Sequence, residues 1–138
     1  MRVQDVRVGD ELPPLARVVT REEVDAYAAI SGDHNPLHRD DAVARSAGYP
    51  GIIAHGMFTL GLLGSCVVAW TGDPAAVIRM KAAFRAPVFL GETIVAGGRV
   101  RALDAEAGTA AVEGWVTVER AGVTEYPVRK CEVWVRLS

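Results

Sequence analysis

The hydrophobic pattern changes period once along the chain, just after Pro74. Before it, apolar residues recur at helical spacing or run without interruption. After it, they alternate with polar ones. In the first half, Ala16–Val19 is a short strand candidate. Thr20 and Glu23 then form a capping-box signature for a helix over Arg21–Ile30, with Val24, Tyr27, Ala28 and Ile30 on its apolar side and Gly32 at its end. Asp40–Ala47 predicts a second, short helix. Gly56–Trp70 contains no charge and is too long for an ordinary strand, so it predicts a third helix, apolar almost all round and enclosed by the rest of the fold. Its glycines, Gly56, Gly61 and Gly64, permit close approach of neighbouring backbone.

Beyond Pro74, Ile78, Met80, Ala82 and Phe84 alternate with Arg79, Lys81, Ala83 and Arg85, which predicts a half-buried strand. Thr93–Leu103 predicts a second strand, with Gly97-Gly98 a bulge or bend. Thr109–Arg120 predicts a third, with Val112, Gly114, Val116 and Val118 on one face. Val123–Ser138 opens with a turn and ends in a strand carrying Cys131, Val133, Val135 and Leu137 on one face. Helices followed by long antiparallel strands give an α+β class, in which one apolar helix faces a curved sheet. The 138 residues suit one domain with a substantial core, 1–138.

Composition removes several function classes. The formal charge of −2 and the scattered basic residues give no footprint for nucleic acid or an anionic membrane. The first ten residues lack an apolar signal segment. The stretch Ile52–Trp70 is at the short limit for spanning a bilayer and is interrupted by His55 and three glycines, which argues against a membrane span. Cys66 and Cys131 sit in apolar patterns as small core residues, with no disulfide framework, so a cytoplasmic setting is expected.

The chemistry-bearing residues fall between 31 and 57. Ser31-Gly32-Asp33-His34-Asn35-Pro36-Leu37-His38 places a carboxylate and an imidazole five residues apart on a loop that leaves a helix. Pro36 fixes its own φ and pushes Asn35 to an extended conformation, so the loop is stiff. Asn35 bonds backbone groups in such a turn. At His55-Gly56 the long apolar helix begins, offering free backbone N–H groups and a positive dipole end. An acid/base pair beside an oxyanion site is a candidate catalytic centre. A metal site from Asp33, His34, His38 and His55 is not expected, because His34 and His38 lie on a proline-containing loop rather than on one helical face.

The Gly32-Asp33-x-Asn35-Pro36-x-His38 loop, the Ala54-His55-Gly56-Met57 helix start and the Phe84-Arg85-Ala86-Pro87-Val88 segment resemble the MaoC-like hydratases. The resemblance covers nearly the whole chain. Trp70-x-Gly72-Asp73-Pro74 is also similar to the catalytic subunit of two-subunit (3R)-hydroxyacyl-ACP dehydratases. The resemblance implies a hot-dog fold, a long apolar helix wrapped by a curved antiparallel sheet. It implies reversible hydration of trans-2-enoyl thioesters to (R)-3-hydroxyacyl thioesters, with Asp33 and His38 as the catalytic pair. Gly56 then supplies the N–H to the thioester oxygen, and Asn35 and His55 support the site. Some members carry a further serine at the position of Gly64, next to which this chain has Ser65. No cofactor is implied. The expected partners are an acyl-CoA or acyl-ACP substrate and a second hot-dog subunit, in a homodimer or heterodimer. Two rival readings are a hot-dog acyl thioesterase and a non-catalytic partner subunit; possession of both Asp33 and His38 disfavours the second.

Overall fold

A computed structural model describes residues 1–138. Five strands form one antiparallel sheet: β1 (Leu15–Val18), β2 (Val77–Lys81), β3 (Thr93–Asp104), β4 (Thr109–Arg120) and β5 (Val123–Arg136), in the order β1-β3-β4-β5-β2. Three helices, α1 (Arg21–Ser31), α2 (Asp41–Ser46) and α3 (Gly56–Thr71), come mostly from the first half. The chain termini are stitched to each other, with Ser138 N–H donating to the Met1 carbonyl at 3.0 Å.

The long strands alternate as their sequence predicts. In β4, Val112, Gly114, Val116 and Val118 are buried, and in β5 so are Cys131, Val133 and Val135. This face forms the core with Leu62, Leu63, Cys66 and Val67 of α3. Gly114 sets how closely α3 approaches. A Cβ there would lie 2.8 Å from Leu63 Cδ2, so the leucine occupies the space that any larger residue would need. The helix ends at Gly72, whose φ of 72° and N–H bond to Val68 O at 2.8 Å form a left-handed cap.

Several expectations are corrected. The capping box of α1 is half made: Thr20 accepts from Glu23 N–H at 3.2 Å, but the Glu23 carboxylate accepts from Arg17 at 3.2 Å instead of turning back. Ile30 is not on the buried side of α1; it is 85% exposed, and Val24 and Ala28 alone are fully covered. The strand after Pro74 stops at Lys81, with only an isolated bridge at Phe84 to Val128. A register shift between Val77 and Arg79 breaks its alternation, so Ile78 is half exposed, and Phe84 beyond the strand is too. Gly97 and Gly98 do not bulge: they pair in register with Trp115 and Gly114, and the shift in β3 falls between Val100 and Ala102. Strand β5 starts directly at Val123, because Ala121 (φ 52°) and Gly122 (φ 77°) make the tight turn before it. Finally, α3 is not enclosed all round. Met57, Gly61, Ser65 and Ala69 face outward, and a Cβ at Gly61 or Gly64 would meet nothing within 4 Å. No helix is long and apolar enough to cross a membrane.

Candidate active site

The loop after α1 is built from short-range bonds. Gly32 (φ 76°) turns the chain out of the helix, and Ser31 Oγ accepts from Asp33 N–H at 3.1 Å. Asp33 Oδ1 accepts from Asn35 N–H at 3.2 Å, and Asn35 Oδ1 accepts from Leu37 N–H at 3.0 Å. A 3-10 turn over Pro36–His38 follows, with His38 N–H donating to Asn35 O at 3.0 Å. Each of the three side-chain links depends on a residue that the sequence places two positions away.

This loop is held against Ile52–Gly56 by tertiary bonds. Ile53 N–H donates to Leu37 O at 3.1 Å, while the segment is itself held from its other side by Ala54 N–H donating to Val88 O at 2.8 Å. His38 Nδ1 lies 2.7 Å from Ile53 O. A carbonyl only accepts, so Nδ1 carries a proton, and in the neutral ring Nε2 keeps its lone pair. Nε2 is 4.0 Å from Asp33 Oδ2. The imidazole is 12% exposed and the carboxylate 52%, so the pair sits at the boundary between protein and solvent.

His55 is buried directly behind. Its ring stacks on His38, centroids 3.9 Å apart and planes at 26°. Tyr27 packs on its edge at 4.9 Å and is itself met edge-on by Phe58. His55 Nε2 donates to Asp33 O at 3.0 Å, tying the loop backbone to the start of α3. Its Nδ1 is buried without a partner. Burial lowers the His55 pKa, opposed by the bond to Asp33 O and aided by the neighbouring His38. Protonation would also create an N–H at Nδ1 with no acceptor, so the neutral ring fits the site.

Gly56 is the first residue of α3 and no side chain caps the helix there. The Gly56 N–H donates to no acceptor in the protein. The first turn carries no acidic residue, so the positive end of the helix dipole is uncompensated. A Cβ at position 56 would lie 3.0 Å from the Phe84 ring, so glycine lets that ring close over the helix start. A cavity of about 350 Å³ opens here, with His38, Gly56, Thr59, Tyr49, Phe84 and Val88 among its walls.

The structure therefore brings Asp33, Asn35, His38 and His55 together, and of the five expected site residues His38 and Gly56 line the cavity. His34 points away and meets Arg39 at 3.3 Å. Ser65 is on the exposed side of α3 and does not line the cavity. Thr59 was not singled out from the sequence, yet it is a buried hydroxyl residue one turn into α3 on the cavity wall. A lone threonine in an apolar run was its available signal. Asp33, His38 and His55 each offer a ligand atom within 4.8 Å of the others. Zinc ligands at ~2.0–2.1 Å from the ion stand closer together than that. A metal here would also have to draw the 4.0 Å His38–Asp33 pair inward.

Comparison with known proteins gives a consistent picture. The family described as MaoC like domain matches residues 6–123. The (R)-specific enoyl-CoA hydratase of Aeromonas caviae is 35% identical over 107 residues, covering 75% of this chain and 77% of that protein. The solved structure of an (R)-hydratase from A. caviae, described as involved in PHA biosynthesis, superimposes with a TM-score of 0.87. That match has 28% identity and covers 98% of this chain and 99% of the other. The 3-hydroxyacyl-thioester dehydratase X of Mycobacterium tuberculosis is 39% identical over 85 residues, or 60% of this chain, and the match spans only 29% of that longer protein.

Proposed function

The chain belongs to the MaoC-like domain family, and from that premise we propose that it is a hydro-lyase that reversibly hydrates trans-2-enoyl thioesters to (R)-3-hydroxyacyl thioesters. One observation carries the reading. A carboxylate and an imidazole with its lone pair turned inward stand 4.0 Å apart beside an unoccupied N–H at a helix start. The similarity to an (R)-specific enoyl-CoA hydratase over three quarters of the chain supports it.

The geometry suits the chemistry. A water about 2.8 Å from both His38 Nε2 and Asp33 Oδ2 fits the gap between them. As its oxygen adds to Cβ of the enoyl group, one of its protons passes to the pair, and a proton is delivered to Cα. The electron pair displaced from the double bond spreads onto the thioester oxygen, where the Gly56 N–H and the helix dipole receive the charge. His55 and Asn35 fix the two reacting groups, one through the Asp33 carbonyl and ring stacking, the other through the Asx turn. The thioester itself acidifies the α-proton, so this sequence of steps uses no cofactor or metal.

Residues 1–138 form one hot-dog unit in this reading. It functions as a homodimer or with a related subunit. Strand β2 is paired only with β5, and Ile78 and Phe84, at and beyond it, are half exposed, Phe84 beside the cavity. The buried free thiols of Cys66 and Cys131 suit a reducing compartment such as the cytoplasm.

The test is to incubate the protein with crotonyl-CoA and a longer trans-2-enoyl-CoA while following enoyl absorbance, free thiol and product configuration. Loss of absorbance with an (R)-3-hydroxy product and no thiol release is expected. Thiol release without hydration would point to a thioesterase and overturn the proposal.

A further inference from the structure

Strand β5 contains one residue more than β4 between the pairs Gly114–Cys131 and Val116–Val128. The extra residue falls at Arg129-Lys130, and Lys130 adopts φ 52°, a left-handed conformation unusual for a side chain with a Cβ. In a regular strand these two neighbours would face opposite sides. Here both are exposed, and both line the same recess of about 350 Å³. The third residue around it is Arg85, delivered by the segment that follows β2 and fixed by its N–H bond to Pro127 O at 2.9 Å. Arg85 also lines the catalytic cavity, so the recess adjoins its mouth.

None of these three cations forms an ion pair, although Lys130 lies close enough to Glu113 to help Arg101 hold that carboxyl below the usual range. Arg99 and Arg101 nearby are taken up by Glu11 and Glu113, but Arg85 and Lys130 bond to no carboxylate, and Arg129 lies only over the Tyr126 ring at 5.4 Å. Three positive groups and no carboxylate line this recess, in a chain of net charge −2, and together they attract an anion. A strained backbone that turns two of them together is a feature associated with function. Two guanidinium groups and an ammonium are the donor set that recognises phosphate.

Resting on the thioester reading above, we propose that Arg85, Arg129 and Lys130 form a cradle for the phosphate groups of the pantetheine carrier that presents the acyl chain. The carrier is either coenzyme A, through its nucleotide phosphates, or a carrier protein, through the phosphodiester of its arm. In both, the phosphate stays at the mouth while the thioester reaches His38 and Gly56.

Binding of free coenzyme A, measured by calorimetry at two salt concentrations, tests this on the intact chain, on Arg85→Gln and on Arg129→Gln/Lys130→Gly. Glycine tolerates the left-handed backbone, so the double variant keeps the bulge and its melting temperature. The dissociation constant is expected to rise about tenfold or more in the double variant, and wild-type binding to weaken with salt. An acyl carrier protein with and without its phosphopantetheine is titrated in parallel. A loss seen with coenzyme A alone identifies the nucleotide phosphates. A loss confined to the phosphopantetheine-bearing carrier identifies the phosphodiester. Equal affinity of wild type and variants for both probes, or no binding of either, overturns the cradle. So does equal binding of the carrier with and without its arm, since an acidic protein surface would then be the occupant. The reading beneath fails separately: a wild type that binds coenzyme A through these residues yet hydrates no enoyl thioester loses the hydratase assignment and keeps the cradle.

Discussion

The loop Asp33–His38 and the segment Ile52–Gly56 meet across the site, and they are held in opposite ways. The loop is exposed from Asp33 to Pro36, and its own side chains bond to backbone two residues away. The segment is largely buried and is fixed by distant partners, Leu37 O, Val88 O and the Asp41 carboxylate. Each half contributes one histidine anchored to a carbonyl of the other: His38 to Ile53 and His55 to Asp33. The rings are stacked, yet only His38 lines the cavity and turns its free nitrogen toward a carboxylate. His55 keeps its free nitrogen in the interior. In the proposed mechanism, this difference separates the histidine that exchanges protons from the one that holds it in place.

The comparison breaks most sharply at the exposed half. Asp33→Asn leaves the Asx turn acceptor in place but removes the negative charge, and kcat is expected to fall by ~10²–10⁴-fold with the melting temperature nearly unchanged. Steady-state kinetics beside a melting curve checks both. On the buried half, Gly56→Ala pushes a Cβ to 3.0 Å from the Phe84 ring and displaces the N–H. A loss on the order of 10²-fold in kcat, the scale of one oxyanion donor, is expected from the same assay.

Stability separates the halves in the other direction. Leu63→Ala empties the seat of α3 against Gly114 and is expected to cost ~2–5 kcal/mol, read as a lower denaturant midpoint at constant slope. Asn35→Ala removes a cap from an exposed turn, so ~0.5–2 kcal/mol is expected, with kcat falling more than stability does.

The smallest effect is on pH. The folded protein holds His55 below its ordinary pKa of 6.5, so the unfolded chain takes up this proton first as pH falls. Above about pH 6.5 the residue leaves stability unchanged. Below that, stability declines until the folded-state pKa is passed. His55→Phe is expected to flatten this acid limb of the melting temperature between pH 7 and 5, whereas a limb that persists unchanged assigns it to other groups.

How much of this was legible in the sequence follows from the range of each bond. The helix limits, the Asp33–His38 loop and the alternation of β4 depend on neighbours within a few residues, and their signals lie in the chain itself. The stacking of His38 on His55 joins residues 17 apart, and motif resemblance marked both without showing that they touch. The outward-facing Ile78 was missed because a register shift against β5 overrides the local alternation. The cluster of Arg85 with Arg129 and Lys130 depends on another such shift in β5, and scattered basic residues gave no hint of it. Bulges are decided by pairing partners, which a single strand does not specify.

The central claim is that Asp33 and His38 act together on a water at a thioester. The most direct measurement is the rate of crotonyl-CoA hydration by the wild type and by Asp33→Asn, at saturating substrate and with both proteins shown to be folded. The account predicts turnover by the wild type and at least a ~10²-fold loss in the variant. Turnover by the variant within threefold of the wild type would contradict it.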